Sequence, residues 1–194
     1  MKLTPIILML ALAACTNGDS PIGTSGFSGT GIIPLKLGNS WQYFATQYDA
    51  SGSEIWSFPY HLQILEDTLL DYESCYFITG RTLVVNRDDG LWGFDLGKPD
   101  QYLVLKYPVS RGYTYSTGAQ REYSITVRST DTTVTVAAGT YSCYEYVARH
   151  VEGAEIHAYV APQKGIVLAE SYNPRQSGGT YLASRAVLMA MHLE

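Results

Sequence analysis

From residue 32 onward, apolar and polar side chains alternate in short runs punctuated by glycine, proline and aspartate, the pattern of half-buried strands joined by tight turns. After the turn signal Gly38-Asn39, residues Trp41, Tyr43 and Ala45 alternate with Gln42, Phe44 and Thr46. Further strands are predicted over Trp56 to Leu65, Ser74 to Thr79, Thr82 to Asn86, Gly90 to Phe94, Tyr102 to Tyr107, Arg121 to Ser129 and Tyr181 to Met191. Turns at Asp88-Asp89-Gly90, Gly97-Lys98-Pro99-Asp100 and Gly178-Gly179 separate them. Gly139 divides Thr132 to Val136 from Tyr141 to Ala148, a hairpin, and Pro162-Gln163-Lys164-Gly165 turns Glu155 to Ala161 into Gly165 to Tyr172. Helical spacing occurs weakly between Gln63 and Glu73, where Leu65, Leu69 and Leu70 recur, and a strand followed by a turn is preferred there. About ten to thirteen short strands joined this way predict an all-β or mainly β domain: a single antiparallel, strongly curved sheet, a sandwich or a partly closed barrel.

Ahead of this domain the pattern changes twice. Behind Lys2, an apolar run from Ile6 to Ala14 closes in Leu12-Ala13-Ala14-Cys15. It falls far short of the roughly 20 residues a membrane-spanning helix needs, and a cationic start, a short apolar stretch and small residues before the cut make an export signal. These residues resemble the bacterial lipobox. The resemblance implies cleavage before Cys15, a diacylglyceryl group on its thiol and acylation of the new amine. An ordinary cut after an Ala-x-Ala near Ala11 and Ala13 is the alternative. Thr16 stands where retention in the inner membrane usually shows Asp, so the resemblance favours the outer membrane. Residues 16 to 31 are rich in glycine, serine and threonine without an apolar period, a tether with an end-to-end distance on the order of 20 Å. The expected organisation is therefore a signal over 1–14, a lipidated cysteine and tether over 15–31, and one β-rich domain over 32–194.

Two stretches at opposite ends of the domain carry a second resemblance. Pro34-Leu35-Lys36-Leu37-Gly38-Asn39-Ser40-Trp41-Gln42-Tyr43 is similar to the P-L-x-x-G-x-x-W-x-Y opening of uncharacterised bacterial exported and lipoprotein families read as antiparallel β proteins. Ala138-Gly139-Thr140-Tyr141 and Ala161-Pro162-Gln163-Lys164-Gly165-Ile166-Val167 resemble the "A-G-T-[FY]" strand and closing "A-P-x-x-G-[IV]" turn of the same families. This implies a fold and no catalytic residue.

Composition narrows the partners. The formal charge of −5 becomes −6 once Lys2 is removed with the signal, and no lysine or arginine cluster offers the positive surface that nucleic acid requires. Sixteen tyrosines against five phenylalanines suit a pleated, half-buried surface, and some could stack on carbohydrate. With Cys15 assigned to lipid, Cys75 and Cys143 remain as an even pair in a compartment that permits disulfides. A bond between them closes a loop of 68 residues (143 minus 75), worth on the order of 4 kcal/mol if unstrained; two unbonded buried thiols are the alternative.

Catalytic and metal signatures are weak. His61, His150, His157 and His192 show neither H-E-x-x-H nor a C-x-x-C companion, so no metal site and no cofactor are expected, although His150 and His157 could meet across the turn at Glu152-Gly153-Ala154. There is no G-x-S-x-G elbow. Asp88-Asp89-Gly90 reads as a turn rather than a calcium loop, and Glu66, Asp67, Asp71 and Glu73 as a solvated acidic patch. The expected function is a non-enzymatic, membrane-anchored binding or assembly module of the cell envelope, with Trp56, Trp92 and Tyr102 as candidate contact residues. A lipid-binding or small-molecule-binding β cup is the alternative, and an envelope hydrolase built where His61, His150 or His157 meets a carboxylate comes third.

Overall fold

A computed structural model describes residues 31–70, 72–79, 82–94, 101–117 and 123–194. Cys15, the signal, the tether up to residue 30 and the turn expected at 97–100 lie outside the described residues. The described chain forms β1 (Ser40–Tyr48), β2 (Glu54–Leu70), β3 (Glu73–Ile78), β4 (Thr82–Arg87), β5 (Gly90–Phe94) and β6 (Gln101–Lys106). It continues with β7 (Thr114–Thr117), β8 (Tyr123–Val136), β9 (Gly139–His150), β10 (Glu155–Ala161), β11 (Gly165–Pro174) and β12 (Thr180–His192). All are antiparallel neighbours in one twelve-stranded sheet ordered β6-β5-β4-β3-β2-β1-β12-β11-β10-β9-β8-β7. The sheet curls into a nearly closed barrel, the strongly curved arrangement that the strand pattern predicts.

Period-two alternation explains the interior. Trp41 and Tyr43 from β1, Ile64 from β2, Ile78, Val84, Leu91, Ile125, Val127, Tyr146, Ile156 and Leu188 point inward and form one continuous apolar cluster. Ile32 and Ile33, which precede the first strand, enter the same cluster. Burying a side chain of this size contributes roughly 1.5–3 kcal/mol. Small side chains line part of the interior: Ala45, Ala148, Ala158, Ala169 and Ala186 are buried, and β11 and β12 come within contact of β8.

Two strands are longer than their runs predict. β2 pairs with β1 from Glu54 to Gln63 and with β3 from Ile64 to Leu70, changing partner at an irregularity between Ile64 and Glu66. The stretch with helical leucine spacing is thus the second half of a strand. β8 joins the two runs expected separately, carrying irregularities at Val127/Ser129 and Ser129/Thr132 instead of a turn. β7 has no predicted counterpart.

The remaining gap between the edge strands β6 and β7 is closed by side chains. Thr117 donates its hydroxyl to the Leu103 carbonyl at 2.5 Å, and the Tyr115 hydroxyl donates to the Val104 carbonyl at 3.1 Å while accepting the Lys106 N–H at 3.2 Å. Tyr146 donates to the Lys106 carbonyl at 2.8 Å.

The expected disulfide does not form: Cys75 and Cys143 are not joined to each other. Cys75 lies on the outer face of β3 with Leu83, Val85 and Phe94, and Cys143 on the outer face of β9 with Val134, Ala161 and Val167. Six strand spacings separate β3 from β9 in the sheet, about 29 Å along its surface. A disulfide needs Cα atoms within about 7 Å.

Candidate interaction surface

The first half of β2 has β1 on one side and, among the described residues, no strand on the other. Its backbone polarity follows from two residues. Gln63 turns both N–H and C=O away from β1, accepting from the Thr79 N–H at 3.0 Å and donating to Thr79 Oγ1 at 2.9 Å. Pro59 has the same parity and has no N–H to give, a residue tolerated in a strand only where no ladder bond is required. Ser57 and His61 share that parity, so their N–H and C=O groups face the open side, while Ile55 sits at the irregularity opposite Gln47 and Tyr48. A free edge of this kind is a template for an added strand.

Aromatic side chains stack along the same half-strand. Trp56 and Phe58 lie parallel with centroids 4.5 Å apart, Phe58 is 6.1 Å from Tyr60, and Tyr60 stacks on Tyr43 at 5.0 Å. The row runs from Trp56, 39% exposed at one end, to Tyr43, 3% exposed inside the barrel. The Trp56 indole N–H donates to Gln47 Oε1 at 2.8 Å, which fixes the ring. Beside it, Ile55 is 56% exposed.

The other two predicted contact residues belong to the fold. Trp92 is partly buried on the outer face of β5, its indole donating to Asp89 Oδ1 at 2.7 Å and its ring covered by the Arg87 guanidinium at 5.0 Å. Tyr102 is only 9% exposed and its ring covers Gly93 so closely that no Cβ would fit there. Phe58 and Tyr60 were not singled out by the sequence, although Pro59 within an otherwise strand-like run marks their strand as an edge.

A second feature spans the outer face from β8 to β12. Glu145 receives Arg128 at 3.1 Å and faces His157 Nδ1 at 3.4 Å; Glu155 faces His157 Nε2 at 3.3 Å and receives Arg149 at 2.9 Å. Glu170, opposite His157 in the ladder, takes Arg185 at 2.8 Å and the Tyr172 hydroxyl at 2.9 Å. Burial, followed by the neighbouring Glu145 and Glu170 carboxylates, pushes the Tyr159 and Tyr172 hydroxyls up to about 12. Burial also raises Glu155, but hydrogen bonds and charge from Arg149 and His157 outweigh it and hold this carboxyl below its ordinary value. His157 therefore meets carboxylates, as the hydrolase reading requires. Both of its nitrogens face carboxylates of the array. The array reads as cross-strand ion pairs of a sheet face, each worth roughly 0.2–1 kcal/mol.

The remaining histidines stand apart. His150 lies opposite Tyr123 and His157 opposite Val147, so the two do not meet across their turn. His192 contacts Glu194 at 2.8 Å near the chain end, and His61 is exposed on β2. Asp88 and Asp89 form the β4–β5 turn, where Asp89 takes Trp92 and, at 3.3 Å, Lys106.

No protein-family model matches the chain. No curated protein matches it. Among solved structures it is similar to a putative lipoprotein from Parabacteroides distasonis ATCC 8503, 16% identical over 84% of this chain and 99% of that one, with a TM-score of 0.47. It is also similar to a putative exported protein with a YmcC-like fold from Bacteroides fragilis NCTC 9343, 16% identical over 83% of this chain and 98% of that one, with a TM-score of 0.47.

Proposed function

We propose that this chain is a lipid-anchored, non-enzymatic binding or assembly module of a bacterial cell envelope, held at the outer membrane through Cys15. Its β barrel recognises another envelope component by adding that partner's strand to the open edge of β2. The anchor rests on Leu12-Ala13-Ala14-Cys15 and the residues that follow it. The observation that carries the recognition mode is the half-strand Glu54 to Leu62, bonded on one side only among the described residues and flanked by the exposed Ile55 and Trp56. Main-chain groups of Ser57 and His61 supply affinity, and the Trp56–Phe58 stack supplies a side-chain contact. Packing of the inward side chains into one apolar cluster favours this mode over the β cup, which needs an enclosed apolar pocket.

Cross-linked capture with the full chain tests it. Ser57→Pro removes one outward N–H from the open edge and spares the ladder to β1; Trp56→Ser removes the exposed ring. A protein recovered with the native chain and lost with both variants, at unchanged thermal midpoint, is the expected result. Recovery undiminished by either variant overturns edge recognition, and a stoichiometric small molecule in place of a protein favours the cup.

A further inference from the structure

The hairpin between β2 and β3 carries exposed apolar side chains. Leu69 is 67% exposed and Tyr72 is 93% exposed, with Leu70 also on the surface. Leu70 pairs with Glu73, and Tyr72 between them has φ +68. Glycine or asparagine adopts this left-handed conformation at low cost in a tight hairpin, whereas a bulky residue there is strained. The fold thus carries a strained aromatic ring that makes almost no contact with the rest of the chain. Such strain at an exposed tip points to a use outside the fold.

The position of the tip shows which outside. Gly31 packs against the Asn86 side chain so closely that no Cβ fits, and Asn86 Nδ2 donates to the Ile33 carbonyl at 2.8 Å. The next residue of β4, Arg87, binds Glu73 beside the turn of the hairpin through Nε at 3.0 Å. Continuing the β3–β4 register from Tyr76 opposite Val84 sets Asn86 opposite Ser74. Tyr72 lies two residues further on, about 7 Å along the strand. The chain therefore joins the barrel beside this hairpin. Residues 16 to 30 span at most about 50 Å even when fully extended, so an acyl group on Cys15 keeps this end of the barrel near the bilayer.

We infer that the β2–β3 tip, through Leu69, Leu70 and Tyr72, is a second membrane contact that inserts at the lipid headgroup boundary and orients the barrel with β2's open edge away from the bilayer. The inference rests on the lipid anchor proposed above. Leucine supplies apolar area and tyrosine suits the headgroup level, where its ring is apolar and its hydroxyl stays wet. The lipid partner is zwitterionic: Glu66 and Asp67 are exposed on the same hairpin, and the net charge is negative, so an anionic leaflet repels this end.

The test uses the full chain reconstituted in phosphatidylcholine vesicles, with a nitroxide attached at Tyr72→Cys, Leu69→Cys or, at the far end of β12, Ser177→Cys. Cys75 and Cys143 are buried and stay unlabelled in the folded protein. Oxygen collides preferentially with a spin in the bilayer, and a nickel chelate with one in water. The oxygen-to-nickel collision ratio is expected to be several-fold higher at positions 72 and 69 than at 177, and to fall when phosphatidylglycerol replaces part of the phosphatidylcholine. Mass spectrometry of the same sample reports acylation of Cys15. An acylated chain with equal ratios at all three positions overturns the tip contact and leaves the anchor. An unacylated chain with high ratios at 72 and 69 removes the anchor and keeps the tip contact, whereas an unacylated chain with equal ratios removes both. Shielding of position 72 only when envelope protein is added, without an oxygen preference, assigns the tip to a protein and overturns the membrane contact.

Discussion

The indole N–H of Trp41 donates to the backbone carbonyl of Lys164 at 2.6 Å, tying the first strand to the β10–β11 turn across 123 residues of chain. Two residues on, the Tyr43 hydroxyl donates to the Ile166 carbonyl at 2.9 Å. Gln163 N–H donates to the Ile32 carbonyl at 3.0 Å. The two sequence stretches that resemble exported-protein motifs are therefore halves of one closure. Trp and Tyr recur in the first half because each brings both an inward ring and a polar hook, and Gly165 stands in the second because its φ is +97 and the indole leaves little space for a side chain.

Trp41→Phe should keep most of the apolar burial and lose the hook, leaving the Lys164 carbonyl without that donor. Unfolding in urea should show a loss of about 1–3 kcal/mol, the cost of stranding a buried acceptor. At Gly165, φ is +97 and an added Cβ would stand 3.0 Å from Trp41 Nε1. Gly165→Ala should therefore destabilise through backbone and contact together, and part of that loss should be relieved in the Trp41→Phe background. Strict additivity of the two substitutions would show that the indole and Gly165 do not share a contact.

Alternation along the chain made most of this barrel legible. Gly90 to Phe94 and Glu155 to Ala161 were readable to the residue because a glycine, proline or acidic turn bounds a run with a clear buried face. β7 was not, because Thr114 to Thr117 is held by hydroxyls bonded to another strand's backbone rather than by an apolar stripe. Leu65 to Leu70 misleads for a different reason: every side chain of this stretch is exposed, so no alternation is enforced. At the candidate surface, the periodicity groups Trp56 with Phe58 and Tyr60 but does not tell inside from outside, which is how Tyr102 and Trp56 came to be predicted alike. The Glu145, His157 and Glu170 array joins residues that are neighbours only through strand register.

Alkaline pH should unfold this protein in a defined direction. Burial raises Tyr43, Tyr60, Tyr115 and Tyr146 above the ordinary tyrosine value, and Tyr159 and Tyr172 to about 12. An unfolded tyrosine releases its proton near pH 10, whereas these hold theirs to higher pH in the folded state, Tyr159 and Tyr172 to about 12. Between those values the unfolded chain binds fewer protons, so stability is complete below pH 10 and falls as pH rises through the folded values. The urea midpoint should drop steadily above about pH 10, and tyrosinate absorbance should appear largely together with unfolding. Smooth ionisation of all sixteen rings near pH 10 in a still-folded chain would contradict the buried assignments.

The seam between β6 and β7 should be the first part of the sheet to open. Elsewhere neighbouring strands share backbone ladders, but here Tyr115 and Thr117 bond β6 through their side chains. Tyr115→Phe retains the ring and strands the Lys106 N–H and the Val104 carbonyl, at a cost of about 1–3 kcal/mol. If opening is local, this cost appears at β6 alone, as amide exchange at Lys106 roughly 5- to 150-fold faster, with Ala158 and Val160 in β10 unchanged. Thr117→Val, of similar shape, should extend the effect towards Leu103. Equal acceleration in β6 and β10 would mean that the barrel unfolds as one unit and that its two edges are as firmly joined as any ladder.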